Sequence, residues 1–156
     1  MYAITRICCL VLVASCVGCP APPAEPALDQ ELERYRSLKN ESIDLACVCP
    51  MNVIGSDGEV LETEAECLAD LPRVKPSGLE CMKDALAAVY GDEAEGAALI
   101  ACYNDALANR AECLEGYDET CDLSAKNQCF SSFDLSDCDN ALTQQQSETI
   151  LLCAFE

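Results

Sequence analysis

Residues 92–115 read DEAEGAALIACYNDALANRAECLE and carry the clearest helical pattern in this chain of 156 residues. The larger apolar side chains recur at helical spacing, which places them on one face of a helix. They are Ile100, Tyr103, Leu107 and Leu114. Gly116 follows directly, and glycine is common just past a helix C-terminus. The stretch therefore predicts one long helix from Asp92 to Glu115.

Two cysteines, Cys102 and Cys113, lie on this predicted helix. Their separation of eleven residues is close to three helical turns, so both side chains project from the same face. They are about 16 Å apart along the helix axis, which is too far for a disulfide between them. Each must therefore bond to a different element, which makes this helix a central strut crosslinked at two heights.

Shorter helices are predicted on both sides of the strut. They cover residues 28–47, 64–71, 77–90, 124–130 and 138–153, the first of them with a weak point at Asn40. Two begin with a capping-box pattern, in which Thr63 or Ser77 precedes a glutamate by three residues. Ser56-Asp57-Gly58 predicts a turn, which allows one short β-hairpin near residues 52–61. The predicted fold class is mostly α: a small, disulfide-stapled helical bundle with room for that hairpin.

The cysteine content points to an oxidising compartment. The chain has 14 cysteines and no histidine, and the cysteines avoid the paired spacing that zinc sites favour. Disulfides are therefore the better explanation. They imply an oxidising compartment, because cytosolic thiols stay reduced. The pairing cannot be read from the sequence. Ten cysteines of the mature domain are expected to form disulfides: Cys47, Cys49, Cys67, Cys81, Cys102, Cys113, Cys121, Cys129, Cys138 and Cys153.

The charge balance limits the partners. Lys plus Arg number 9 against 28 for Asp plus Glu, a formal net charge of −19. Such a surface repels phosphate backbones, so nucleic acid is not expected as a partner. Cations or basic protein surfaces are attracted instead. The simpler interpretation is that the acidity only keeps an exported domain soluble.

The N-terminal residues have the pattern of an export signal. Arg6 precedes an apolar run over residues 7–15, which is too short to span a bilayer as a permanent helix. Val13-Ala14-Ser15-Cys16 and Cys16-Val17-Gly18-Cys19 both resemble the lipobox of bacterial lipoproteins, in which a diacylglyceryl group is attached to the cysteine. Cys16 fits the motif better. Cys19 leaves an even number of cysteines to pair, so Cys19 is the predicted lipidation site and Cys16 the alternative.

The predicted organisation follows from that site. Residues 1–18 are the lipoprotein signal peptide, and residues 19–27 are the lipidated cysteine with a proline-rich tether. Residues 28–156 are the cysteine-rich, acidic helical domain. Neither Val17 nor Pro20, the residue after each candidate cysteine, is the aspartate that resembles an inner-membrane retention signal. A lipid anchor in the bacterial outer membrane is therefore expected. The alternative is an ordinary secretory signal without lipid.

The cysteine spacing resembles one protein type. Cys47-Val48-Cys49, Glu64-Ala65-Glu66-Cys67 and the segment from Cys102 to Cys113 are similar to the cysteine-rich, alanine-rich helical lipoproteins predicted in myxobacteria and their relatives. The likeness covers most of the mature domain. It implies export, anchoring and disulfides, and no activity, because those lipoproteins are functionally uncharacterised.

A second likeness is local. Cys47-x-Cys49 followed by Gly55-Ser56-Asp57-Gly58 and Cys67 is similar to a Kazal-type protease inhibitor. That family has a cysteine directly before Gly-Ser-Asp-Gly, where this chain has Ile54, and a final cysteine without a clear counterpart here. The resemblance implies protease inhibition through the Cys47–Cys67 segment. The alternative is an ordinary Asp-Gly turn.

Catalytic and ligand-binding patterns are scarce. The absence of histidine removes the commonest general base, and no phosphate-binding loop or cofactor motif is present. Cys47 and Cys49 have acidic neighbours, which disfavours a reactive thiolate, so both are predicted to be structural. Calcium is the best ligand candidate, through Asp134, Asp137 and Asp139, although helix capping by Asp134 explains the cluster more simply.

These observations favour a non-enzymatic, envelope-anchored lipoprotein with a structural or protein-interaction role. Its expected partners are the membrane, through the N-terminal lipid, and an envelope protein or a cation. A Kazal-like protease inhibitor is the alternative function, and an enzyme of unknown type is the third.

Overall fold

The computed structural model describes residues 27–116, 121–132, 135–138 and 142–155. The described residues contain six α-helices and two short 3-10 turns. The helices are α1 Leu28–Cys47, α2 Glu64–Asp70, α3 Pro76–Tyr90, α4 Glu93–Glu115, α5 Leu123–Ser132 and α6 Gln144–Cys153. The 3-10 turns are Pro50–Asn52 and Leu135–Cys138. The predicted small, disulfide-stapled helical bundle is confirmed.

The two longest helices, α1 and α4, form the centre of the bundle. The Tyr35 and Tyr103 rings lie 6.4 Å apart between them. Gly96 approaches Leu28 near the start of both helices, and Ala46 and Leu114 line one pocket near their ends. Because these contacts advance along both sequences together, the two helices run parallel. The main core contains fifteen buried residues and extends from this pair to α3 and α6: Leu28, Leu32, Tyr35, Val74, Leu79, Met82, Leu86, Ala97, Leu99, Ile100, Tyr103, Leu107, Ile150, Cys153 and Ala154.

The first helix passes the expected weak point at Asn40 without a break. The Asn40 side chain donates to the Val74 carbonyl oxygen at 3.2 Å and accepts from the Val74 N–H at 3.0 Å. Because Val74 lies in the loop between α2 and α3, the asparagine ties that loop to α1. The helix then runs to Cys47 as one element of 20 residues.

Several helix ends follow the sequence signals. Thr63 forms the expected capping box with Glu66 at the start of α2, and Asp92 caps α4 by accepting from the Ala94 N–H at 2.9 Å. Gly91, at φ 66°, ends α3 in the left-handed conformation that glycine adopts without strain.

The capping box expected at Ser77 was wrong. Helix α3 begins at Pro76, and Lys75 occupies the N-cap position without a side-chain hydrogen bond. Proline at the first helical position has its φ already fixed for the helix and lacks the N–H that would be unsatisfied there. The helix therefore begins at the proline, and Ser77 lies inside it.

The last helix is shorter than the predicted 138–153. Cys138 belongs to the 3-10 turn Leu135–Cys138, and α6 begins only at Gln144. A capping box between Thr143 and Gln146 sets that start, since each side chain bonds to the other residue's backbone N–H.

The hairpin allowed near residues 52–61 is reduced to one antiparallel bridge, between Ile54 and Val60. Hydrogen bonds from the Gly55 N–H to the Glu59 carbonyl at 2.8 Å and from the Leu61 N–H to the Val53 carbonyl at 3.1 Å flank it. Within the described part of the chain no strand of regular length forms. Gly58, at φ 86°, makes the turn.

Candidate functional site

Most of the residues that the sequence assigned to lipidation and calcium binding lie outside the described residues. These are Cys16, Cys19, Asp134 and Asp139. Asp137 is described and lies exposed in the 3-10 turn Leu135–Cys138. Among the described residues no group of three or more His, Cys, Asp or Glu side chains is arranged to hold a metal ion. No helix among the same residues combines the length and the apolarity needed to cross a membrane.

The ten cysteines expected in disulfides are all paired. The bonds are Cys47–Cys67, Cys49–Cys121, Cys81–Cys153, Cys102–Cys138 and Cys113–Cys129. The two cysteines of α4 reach different elements, the second 3-10 turn and α5. Cys47 and Cys49 also bond to separate partners and are both buried. A disulfide-exchange site at this pair is therefore disfavoured, because such chemistry requires an exposed thiolate.

The segment from Cys47 to Cys67 is fixed at both ends. Cys47 bonds to α2 through Cys67, and Cys49 bonds to Cys121 just before α5. The Asn52 amide donates to the Cys121 carbonyl oxygen at 2.8 Å, and the Lys126 amine donates to the Asn52 carbonyl oxygen at 3.3 Å. Desolvation lowers the pKa of the Lys126 amine. These contacts hold the turn Pro50–Asn52 against the end of the bundle.

The Asp-Gly turn in this segment has a second anchor, at Asp70. The Asp70 carboxylate accepts from both the Ser56 N–H and the Ser56 hydroxyl, each at 2.7 Å. Those two hydrogen bonds lower the pKa of Asp70, because they favour its charged form. Asp57 accepts from the Glu59 N–H at 3.0 Å within the turn. The turn is therefore preorganised, although it lies on the surface.

The same region carries an unusual set of exposed apolar side chains. The described residues include six large hydrophobics that are exposed, and five of them lie on this segment or beside its disulfide partner. They are Val48, Met51, Ile54, Val60 and Leu123, with exposed fractions of 42%, 74%, 69%, 56% and 49%. We call these five side chains the exposed apolar surface.

The connectivity links the segments that carry these five side chains. The antiparallel bridge places Ile54 beside Val60. Val48 precedes Cys49, and Leu123 follows Cys121 by two residues, so the Cys49–Cys121 bond joins their segments. Met51 lies on the intervening 3-10 turn. Monomeric proteins seldom expose such clusters unless they contact a partner there.

Exposed carboxylates lie close to one part of the exposed apolar surface, beside Val60. The acidic side chains of the segment and of the start of α2 are exposed: Asp57, Glu59, Glu62, Glu64 and Glu66. Acidic groups at the edge of an apolar patch favour a partner with basic groups around its own apolar patch. The arrangement therefore suits a protein surface better than a nucleic acid or an anionic lipid.

Sequence reasoning identified the segment but missed the exposed apolar surface. It allowed a short hairpin near residues 52–61 and noted a local resemblance of the Cys47–Cys67 segment to Kazal-type inhibitors, with an ordinary Asp-Gly turn as the alternative. It made no prediction that Met51 or Val60 is exposed. One signal was available in the sequence. Apolar residues lie on both sides of the Asp57-Gly58 turn, and no second apolar segment is at hand to cover them. The contribution of Leu123 depends on the Cys49–Cys121 pairing, which the sequence leaves open.

Comparisons of the chain with protein-family models, with curated proteins and with solved structures find no match. The resemblances to the cysteine-rich helical lipoproteins and to Kazal-type inhibitors stay predictions.

Proposed function

We propose that this protein is a non-enzymatic, lipid-anchored protein of the bacterial envelope that binds a partner protein through the exposed apolar surface. The observation that carries the proposal is the concentration of five of the six exposed large hydrophobics of the described residues in one region. Two disulfides and the Ser56–Asp70 hydrogen bonds hold that region in place. A preorganised surface loses less conformational entropy on binding, which favours affinity.

The composition of the surface indicates the kind of partner. Met51, Ile54 and Val60 provide an apolar centre, and methionine adapts easily to the shape of a partner. The acidic residues beside Val60, in a chain of net charge −19, attract basic side chains and accelerate encounter. We therefore expect an envelope protein with an apolar patch bordered by lysine or arginine.

Site-specific photo-crosslinking in the source cells tests this function. A benzophenone amino acid placed at Met51 is expected to give a discrete adduct with one partner, and Ile54→Asp in the same chain should abolish that adduct. Leu152 is the matched control position, because it is the one exposed large hydrophobic of the described residues outside the surface. Equal adducts from both positions, or an adduct that survives Ile54→Asp, would reject the proposal.

The anchor needs its own measurement. The intact mass of the protein purified from membranes, before and after reduction and alkylation, should show a lipid-sized increment on a chain that starts at Cys19 or Cys16. A secreted chain without the increment would remove the anchoring part of the proposal and leave the binding surface to be tested alone.

A second candidate function is protease inhibition through the Cys47–Cys67 segment. The observation that favours it is Met51, which is 74% exposed on a turn held by the Cys49–Cys121 bond. Incubation of the full chain with a panel of serine proteases tests it, with Met51→Asp as the matched variant. Inhibition that Met51→Asp abolishes would favour this function, whereas a chain that inhibits no protease or is cleaved at the turn would exclude it.

A further inference from the structure

A groove separate from the exposed apolar surface runs along one face of α1. Its volume is about 240 Å³, somewhat below the roughly 300–1,000 Å³ typical of ligand pockets, so it suits a small ligand. Residues at helical spacing on α1 form its floor, and four residues from other elements form its walls. The lining is Lys39, Ser42, Ile43, Ala46, Leu71, Pro72, Phe130 and Phe155.

Most of this lining is apolar, and one cation faces it. Ile43 and Ala46 are buried, and Leu71 and Phe130 are half-buried. Lys39 provides the positive charge, and no carboxylate of the described residues lies within salt-bridge distance of its amine. That is unexpected in a chain with 28 acidic residues and only 9 basic ones, because a lysine with a purely structural role is normally paired when its amine is desolvated.

A second cation, Arg110, lies beside the groove. The buried Arg110 guanidinium stacks over the Phe130 ring, with 4.9 Å from its central carbon to the ring centroid. Phe130 is itself a wall of the groove. Desolvation and the neighbouring Arg110 charge lower the pKa of Lys39, and this direction is expected for an amine that has no carboxylate partner among the described residues.

We propose that the groove binds a small apolar monocarboxylate, such as a medium-chain fatty acid, with its carboxylate on the Lys39 amine and its apolar body against Ile43, Leu71 and Phe130. A carboxylate supplies the counter-charge that no described residue offers to Lys39, and a hydrogen bond between two ionised groups is among the stronger ones in a partly desolvated site. The apolar body covers the walls. A strongly hydrated inorganic anion would gain nothing from those walls and would feel the net negative charge of the chain.

Calorimetric titration of the purified full chain with octanoate and with 1-octanol tests the site. The heat of the same titration into the protein-free buffer, with any lipid or detergent that accompanies the protein, is subtracted. The two probes share an aliphatic chain and differ in charge. We expect octanoate to bind at least about tenfold more tightly than octanol. Lys39→Met should remove that preference while octanol binding is unchanged, and Lys39→Arg should restore it. Lys75→Met is the control, because Lys75 is an exposed lysine outside the groove.

Equal affinity for the two probes, no binding of either, or an octanoate preference that persists in Lys39→Met would each overturn the proposal. A measurement on the unmodified sequence covers the case in which Lys39→Met does not fold. The pKa of the Lys39 amine, followed by NMR of ¹³C-labelled lysine, should lie below those of the exposed lysines and rise on addition of octanoate. A Lys39 pKa above theirs without octanoate would mean that a carboxylate of the chain itself already occupies the position proposed for the ligand.

Discussion

Gly78 lies where α3 meets the end of α6, and its replacement by alanine should destabilise the fold. A Cβ atom at this position would collide with the Ala154 carbonyl oxygen and lie 2.7 Å from the carbonyl carbon of the same residue. It would also lie 2.8 Å from the Cys153 carbonyl oxygen. Carbon atoms in contact prefer about 3.5–4.0 Å, so the two backbones would have to separate by about 1 Å.

The magnitude follows from two opposing effects. Overpacking of this kind costs about 1–3 kcal/mol, and the upper part of that range applies here because the atoms that Cβ would meet belong to the backbone. The Cys81–Cys153 disulfide also ties the two helices together beside the contact. Alanine regains about 0.5–1 kcal/mol over glycine within a helix. The net loss for Gly78→Ala should be about 2 kcal/mol.

Gly96→Ala is the matched control, since it makes the same chemical change within a helix that has space for it. Its Cβ would lie 3.4 Å from the Leu86 Cβ atom and 3.8 Å from a Leu28 methyl carbon, which are ordinary contacts. Here only the conformational gain remains, and the variant should be more stable by about 0.5–1 kcal/mol.

Equilibrium unfolding in urea, followed by far-UV circular dichroism without reductant, measures the free energy of unfolding of both variants. The two should differ by about 2.5–3 kcal/mol, with opposite signs relative to the wild type. A Gly78→Ala variant as stable as the wild type would refute the close approach of α3 and α6. Equal destabilisation by both substitutions would instead refute the argument from space.

Three further predictions concern polar groups. Burial raises the pKa of Tyr35 from its usual 10.0 to about 12. The stabilisation that Tyr35 gives the fold with its hydroxyl neutral is therefore complete below pH 10, and it falls by about 2–3 kcal/mol as the pH rises to 12. Urea titrations across that range should show this loss in the free energy of unfolding, and Tyr35→Phe should lack it. Asn104 is fully buried and donates to the Glu31 carboxylate at 2.7 Å and to the Glu31 carbonyl at 2.9 Å. Asn104→Ala should therefore cost about 2–4 kcal/mol, and a smaller cost in a Glu31→Gln background would assign part of it to the charge. The hydrogen bonds from Ser56 lower the pKa of Asp70, so Asp70 holds the turn at pH values above that pKa and releases it as the pH falls through the pKa. Asp70→Asn should speed hydrogen exchange at the Ser56 amide at neutral pH, and an unchanged rate would contradict this.

The helices could be predicted largely because their signals are local. The apolar spacing of α4, the Thr63–Glu66 capping box and the glycine after α3 each act within a few residues of the helix end that they define. The start of α6 was missed although Thr143 and Gln146 carry the same capping-box pattern as α2. The last helix was predicted to begin at Cys138, but Cys138 takes part in a 3-10 turn, where it reaches Cys102.

The disulfide pairing and both candidate sites depend on tertiary contacts, which a single sequence does not specify. Lys39 has the same spacing from Ile43 and Ala46 as many solvent-exposed lysines have from an apolar stripe. That face of α1 becomes a groove only through walls from other parts of the chain, which are Leu71 and Pro72 after α2, Phe130 on α5 and Phe155 after α6. Asn40 illustrates the same limit, because its weak helix propensity is offset by two hydrogen bonds to Val74.

The distribution of the disulfides connects the proposed binding surface to the compartment. None of the five bonds joins α1 to α4, whose contact is held by buried side chains such as Tyr35 and Tyr103. The bonds instead attach short elements that have little core of their own: the one buried residue of α2 is Cys67, and that of α5 is Cys129. The residues of the exposed apolar surface lie just after α1, on the 3-10 turn, in the antiparallel bridge and at the start of α5. The position of Leu123 relative to the other four therefore depends on Cys49–Cys121. Reduction of Cys49–Cys121 would release Leu123 from this surface, so we expect the proposed binding surface to be complete only in an oxidising environment.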